Sequence, residues 1–78
     1  MQKLRPDLDI GHSISALRRA AQLTQDQVVA QMQVKGIEIS KSTYAKIETN
    51  RMNIKVSELI ALKQIFNVDF NAFFEGLY

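Results

Sequence analysis

The sequence contains no cysteine among its 78 residues. Disulfide bonds and thiolate metal sites are therefore excluded, and a chain this small has to gain stability from packing or from association with a second copy. Apolar runs are short, so we expect no membrane span, and residues 1–6 lack the apolar stretch of a secretory signal. These features predict a cytoplasmic protein.

The residues that catalysis usually requires are also scarce. The chain has one histidine, His12, no glycine-rich phosphate loop and no carboxylate pair in an evident cleft. Asp9 and His12 share helical spacing, but no activated nucleophile accompanies them. We therefore expect no enzymatic activity, no cofactor and no bound metal, and we interpret His12 as an inert surface residue.

Positive charge is concentrated in the middle of the chain. The net charge is +2, with a local balance of +3 in residues 35–55, +1 in residues 1–34 and −2 in residues 56–78. A basic segment of this kind is typical of a surface that contacts a polyanion, although charge runs are more often simply solvated. The charge pattern alone favours nucleic-acid binding only modestly.

Apolar residues recur at helical spacing, and no strand pattern or internal repeat interrupts them. We predict an all-α fold, a compact five-helix bundle, with residues 1–8 as a flexible arm and residues 9–78 as one domain. The predicted helices run from Ile10 to Ala21, from Thr24 to about Lys35, from Ser40 to Glu48, from Val56 to Phe66, and from Asp69 as a short final helix.

Local signals define where the middle helices begin and end. Thr24 with Gln27 forms a capping box at the start of the second helix, and Gly36 can end it with a positive φ angle. Ser40 is a good N-cap for the third helix, and Asn50 can end that helix in the left-handed conformation.

The third predicted helix has two different sides. Tyr44 and Ile47 are three residues apart, so they share one face and should be buried. The polar residues left on the outside are Ser40, Lys41, Ser42, Thr43 and Lys46. A helix with a buried apolar stripe and exposed donors near its amino end suits the major groove of DNA, although a solvated helix on a small domain fits these residues equally well.

The C-terminal segment is rich in apolar residues. On the fourth helix we expect an inward face formed by Leu59, Ile60, Leu62, Ile65 and Phe66. Phe70 and Phe73 are the better candidates for the core. Phe74, Leu77 and Tyr78 either form a dimer contact, because exposed aromatic patches tend to mark interfaces, or wrap back onto the first helix.

An ordered set of residues resembles the helix-turn-helix domain of the phage repressor and Cro type, the Xre family. The matching residues are Ile10-Gly11, Leu17-Arg18, Leu23-Thr24-Gln25, Val28, Met32, Ile39-Ser40-Lys41-Ser42-Thr43, Lys46-Ile47-Glu48, Leu59, Leu62, Phe66 and Val68. The resemblance covers about residues 9–75. It implies a helix bundle of the lambda-repressor-like DNA-binding type and a bacterial or phage transcriptional regulator, such as a repressor. The second helix of such a regulator lies across the DNA backbone while its third enters the major groove.

The resemblance also assigns roles to individual residues. It implies that Lys41, Ser42 and Lys46 read bases, and that Gln25, Ser40, Thr43, Asn50 and Arg51 hold phosphates. Arg18 and Glu48 would form a structural ion pair between the first and third helices; the alternative is two separately solvated charges. A homodimer on double-stranded DNA would require a near-palindromic operator.

Two points leave alternatives open. Gln33–Ile39 stands where relatives turn within about three or four residues, an insertion of about five that extends either the second helix or the turn. The tilt of the third helix is therefore not fixed by the resemblance. A protein-binding adaptor or antirepressor would keep the same fold without specific DNA contact. Retention of Lys41, Lys46 and Arg51 argues against that alternative.

Overall fold

A computed structural model describes residues 10–75 of the chain. Within this range there are four α-helices, one short 3-10 helix and no strand. The elements are α1 (Ile10–Ala20), α2 (Gln25–Val34), α3 (Lys41–Glu48), α4 (Val56–Phe66) and the 3-10 helix (Phe70–Phe73). The all-α prediction is confirmed, and the number of five helices is wrong. The predicted arm of residues 1–8 lies outside the described residues.

The fifth predicted helix is the 3-10 helix. Its backbone hydrogen bonds join residues three apart, from Ala72 N to Asp69 O and from Phe74 N to Asn71 O, each 3.0 Å long. Four residues form only one such turn, which is the usual extent of a 3-10 segment. Phe73 on this turn stacks on Phe66 with ring centroids 6.3 Å apart and closes the C-terminal end of the core.

The helix ends follow the local signals in the sequence. At the start of α2, the Thr24 hydroxyl accepts from Gln27 N at 3.1 Å, and Gln27 Oε1 accepts from Thr24 N at 2.8 Å. The Ser40 hydroxyl accepts from Thr43 N at 3.1 Å and caps α3. Gly36, with φ of 88°, ends α2, and Asn50, with φ of 62°, ends α3. These four signals were predicted correctly.

The core lies where α1 and α2 pack on α3. The helix α4 packs against α2, and the 3-10 helix packs against α1. Its most deeply buried side chains are Ile14, Val28, Met32, Tyr44, Ile47, Leu62 and Phe73. None of the helices in residues 10–75 has the length and apolar character needed to span a membrane.

Two apolar residues that we expected in the core are at the surface. Ile60 is 42% exposed, because it lies two residues, about 200°, from the buried Leu62 around α4. Ala61 is buried in its place. Phe70 is 41% exposed, since Phe66 and Phe73 already fill that end of the core, and the Lys63 ammonium lies 5.7 Å from the centroid of its ring.

Candidate nucleic-acid interface

The two sides of α3 differ sharply in exposure. Tyr44 and Ile47 are 0% and 2% exposed and anchor the helix in the core. Lys41, Ser42 and Lys46 are all exposed. Ser42 and Lys46 are four residues apart and share one stripe, with Lys41 at the amino end of the helix. The exposed side therefore presents two ammonium groups and a hydroxyl on a helix whose other side is fixed.

The amino end of α3 is held by side-chain hydrogen bonds. Besides capping Thr43 N, the Ser40 hydroxyl donates to Thr43 Oγ1 over 3.1 Å. Ser40 is exposed and Thr43 is half-buried. These hydroxyls fix the first turn of the helix at the same place where the positive end of the helix dipole favours an anion.

The carboxyl end of α3 is fixed by the carboxylate of Glu48. Arg18 of α1 donates to this carboxylate from Nε at 2.7 Å and from Nη2 at 3.2 Å, and Gln25 of α2 donates from Nε2 at 2.9 Å. Arg18 also donates from Nη1 to the Leu23 carbonyl oxygen at 2.9 Å. Arg18 and Glu48 thus form an ion pair that joins α1 to α3, and Gln25 adds α2 to the same network.

Electrostatics keep this pair ionised. Burial raises the pKa of Glu48, but the hydrogen bonds from Arg18 and Gln25 and the charge of Arg18 outweigh burial, so that the pKa lies below its ordinary value of 4.5. The hydrogen bond to Glu48 raises the pKa of Arg18. Burial raises the pKa of the neighbouring Tyr44, whose buried hydroxyl has no hydrogen-bond partner among residues 10–75.

Gln25 is the first residue of α2 and one of the expected phosphate contacts. Its amide donates to Glu48 and is only half-buried. An amide nitrogen carries two hydrogens, so one stays available for a further acceptor. The bond to Glu48 therefore orients Gln25 without using all of its donors.

Asn50 and Arg51 follow α3. The Asn50 Oδ1 atom accepts from Gly11 N at 3.0 Å, so this part of the side chain fixes the start of α1 against the end of α3. Arg51 is exposed and donates from Nε to Thr49 Oγ1 at 3.2 Å. Of the two residues, only Arg51 carries a charge, and its side chain is at the surface.

Gly11 explains how closely α1 and α3 approach. A Cβ atom at this position would lie 2.4 Å from the Ile47 carbonyl oxygen and 2.6 Å from that of Glu48, closer than real contacts allow. In the sequence, Gly11 is one of the residues that carry the resemblance. The close approach could not be read from the sequence, because it joins segments far apart in the chain.

The structure also brings a carboxylate to one of the candidate base readers. Lys41 Nζ lies 3.4 Å from the Asp26 carboxylate, and the two side chains are 58% and 71% exposed. Asp26 belongs to the first turn of α2 and did not enter the sequence-based site, since nothing in its local pattern indicates a contact with α3. The neighbouring residues Gln25 and Asp26 thus contact opposite ends of α3.

A search against family models matches residues 14–73 to a helix-turn-helix model. The chain belongs to the helix-turn-helix family. Its type is that of the Xre and Cro-like regulators, and the family is one of DNA-binding domains rather than enzymes. The same comparisons return no match among curated proteins or solved structures.

In this helix-turn-helix, α2 and α3 form the motif, and residues 35–40 connect them. The connection starts with Gly36 N donating to Gln33 O at 3.0 Å and Ile37 N to Met32 O at 2.9 Å, the pair of bonds that closes a Schellman motif. Gln33 Nε2 then donates to the Ile39 carbonyl oxygen at 3.1 Å, and Ile39 is buried. The lengthened connection is therefore a fixed part of the fold.

Of the aromatic and apolar residues considered for dimerisation, Phe74 is 36% exposed, and Leu77 and Tyr78 lie outside the described residues. Elsewhere in residues 10–75, no three His, Cys, Asp or Glu residues are grouped as a metal site would require.

Proposed function

We propose that this helix-turn-helix protein is a transcriptional regulator that binds specific sequences of double-stranded DNA by inserting α3 into the major groove. The observation that carries the proposal is the exposed side of α3, where Lys41, Ser42 and Lys46 stand opposite the buried Tyr44 and Ile47. Lysine ammonium groups suit O6 and N7 of guanine, and a serine hydroxyl can serve several bases. These three residues are the proposed base readers.

The proposed phosphate contacts surround the base readers. They are Gln25, Ser40, Thr43, Asn50 and Arg51. Gln25 has an amide hydrogen left after its bond to Glu48 and lies at the positive end of the α2 dipole, which favours a phosphate. Arg51 supplies an exposed positive charge just beyond α3. Asn50 would contribute through its amide nitrogen, since its oxygen accepts from Gly11.

The network around Glu48 supports the rigid presentation of α3. The carboxylate joins α3 to Arg18 of α1 and to Gln25 of α2. A base-reading helix has to hold its side chains within a narrow range of positions, and this requires fixed contacts with the rest of the domain. A DNA regulator of bacterial or phage type would act in the cytoplasm.

The experiment that tests the proposal is selection of sites from random duplexes, followed by titration of the selected site at two salt concentrations. We expect a salt-sensitive interaction and a near-palindromic site. Lys41→Ala/Lys46→Ala should weaken binding to that site by roughly 1–3 kcal/mol for each lost base contact and relax the preference at the corresponding positions.

The matched control is Lys55→Ala/Lys63→Ala, which removes the same charge from the region of α4. It should preserve the selected sequence and change affinity only through general charge. Absence of an enriched site in the wild-type protein would contradict the proposal. The α3 surface would then be tested as a protein-binding surface, the alternative role of an adaptor or antirepressor.

A further inference from the structure

The contact between Lys41 and Asp26 crosses the proposed DNA-binding surface. Asp26 lies in the first turn of α2, the helix that in this motif lies across the DNA backbone, and Lys41 is the first residue of α3. The Nζ atom lies 3.4 Å from the carboxylate, and both side chains are largely exposed. A negative charge at this place repels a nearby phosphate and attracts the ammonium group of Lys41, one of the proposed base readers.

We propose that Asp26 is a positioning residue that determines specificity, because it keeps the Lys41 ammonium directed away from phosphates and available to a base. This inference rests on the proposed function of α3. The ammonium group has three hydrogens. If Asp26 accepts one, two remain, which is the number that O6 and N7 of a guanine can accept.

The same contact acts differently on nonspecific DNA. There the main attraction is between basic side chains and phosphates, and Lys41 would have to leave Asp26 to join it. With Asp26 in place, nonspecific binding therefore lacks the contribution of Lys41, whereas binding to a correct site retains it. The difference between the two affinities is the specificity that Asp26 adds.

The test is Asp26→Asn, an isosteric change that removes the charge, measured on the selected site and on a scrambled duplex. We expect nonspecific affinity to rise and the ratio of specific to nonspecific affinity to fall by about two- to fivefold, the effect that an exposed ion pair allows. For nonspecific binding, the slope of log affinity against log salt concentration should become more negative by about 0.9, as expected for one added phosphate contact.

The control for charge is Asp69→Asn, the same substitution at an exposed residue before the 3-10 helix. It should leave the ratio unchanged. The test for action through Lys41 is a double-mutant cycle: in a Lys41→Ala background, Asp26→Asn should no longer change the ratio.

Two results would overturn the inference while leaving the proposed function intact. The first is an unchanged ratio in Asp26→Asn, which includes an equal rise in both affinities. The second is a loss of specificity that persists in the Lys41→Ala background. If instead the wild-type protein prefers no sequence, the proposed function itself fails, and a role for Asp26 in specificity fails with it.

Discussion

Glu48 is the residue at which three helices are joined. Its carboxylate receives hydrogen bonds from Arg18 and Gln25, and its side chain is only 4% exposed. A buried carboxylate is stabilising only while its partners are present, because taking a charge out of water is costly. Removing the charge of Glu48 should therefore show how much the ion pair between α1 and α3 contributes to the stability of the domain.

The pKa of Glu48 predicts how stability depends on pH. The pKa is lower in the folded protein than its ordinary value of 4.5, so the unfolded chain takes up the proton first as the pH falls. The stabilisation is present in full above that ordinary value and is lost as the pH falls through the lower, folded-state pKa. Glu48→Gln should reduce the free energy of unfolding near neutral pH by about 1–3 kcal/mol.

Denaturant unfolding at a series of pH values would measure this effect. The gap between wild type and Glu48→Gln should narrow below pH 4.5, the ordinary pKa of the residue. Glu38→Gln, at an exposed residue with no ion pair among residues 10–75, is the control and should track the wild type closely. A gap that stays constant down to acid pH would show that the charge of Glu48 contributes nothing.

At the scale of elements, two glycines serve different purposes. Gly11 lies in α1, and a side chain there would collide with the carbonyl oxygens of Ile47 and Glu48. Gly36 ends α2 with φ of 88°, and a Cβ atom there would have no neighbour within 4 Å among the residues that the structure describes. One position therefore excludes a side chain because two helices meet, and the other disfavours it because of backbone conformation alone.

Substitution with alanine and asparagine should separate the two causes. Gly11→Ala should destabilise the fold by about 1–3 kcal/mol through overpacking, and Gly11→Asn should be worse. Gly36→Ala should cost about 1–2 kcal/mol, whereas Gly36→Asn should recover part of this, because asparagine tolerates the left-handed conformation. Thermal or denaturant unfolding measures all four variants. Equal behaviour of alanine and asparagine at residue 36 would contradict the backbone explanation.

At the scale of the whole molecule, the feature to consider is association between two copies of the chain. A chain this short with no cysteine has a limited core, and Phe74 is partly exposed next to the C-terminal turn. We propose a homodimer that uses Phe74 and binds two half-sites about 34 Å apart. Leu77 and Tyr78, the other candidates from the sequence, lie outside the described residues.

Phe74→Glu should shift the protein toward monomer, because it introduces a charge into the proposed interface. Sedimentation and footprinting on the selected site measure the shift and the loss of the second half-site. Val56→Glu is the control, since Val56 is 74% exposed at the start of α4, away from the C-terminal turn. A wild-type protein that is monomeric both free and on DNA would contradict the dimer.

Much of the fold could be predicted because its signals are local. The capping box of Thr24 and Gln27, the N-cap Ser40 and the terminators Gly36 and Asn50 act within a few residues of the chain. The buried side of α3 also followed from spacing, since Tyr44 and Ile47 have to share one face. The bounds of α4 were correct for the same reason, although Ile60 turned outward because α4 has more apolar residues than its inward face can bury.

Helical periodicity and capping depend on near neighbours, so the sequence predicted the four α-helices, most of their ends and the basic exposed side of α3. Tertiary packing determines which distant groups meet: Gly11 against the end of α3, Gln25 on Glu48, and Asp26 on Lys41. These contacts depend on the packing of α1 and α2 against α3. A single sequence contains no local pattern from which the distances between helices can be predicted. The candidate base readers can therefore be identified from the sequence, whereas the groups proposed to position them can be identified only from the packed structure.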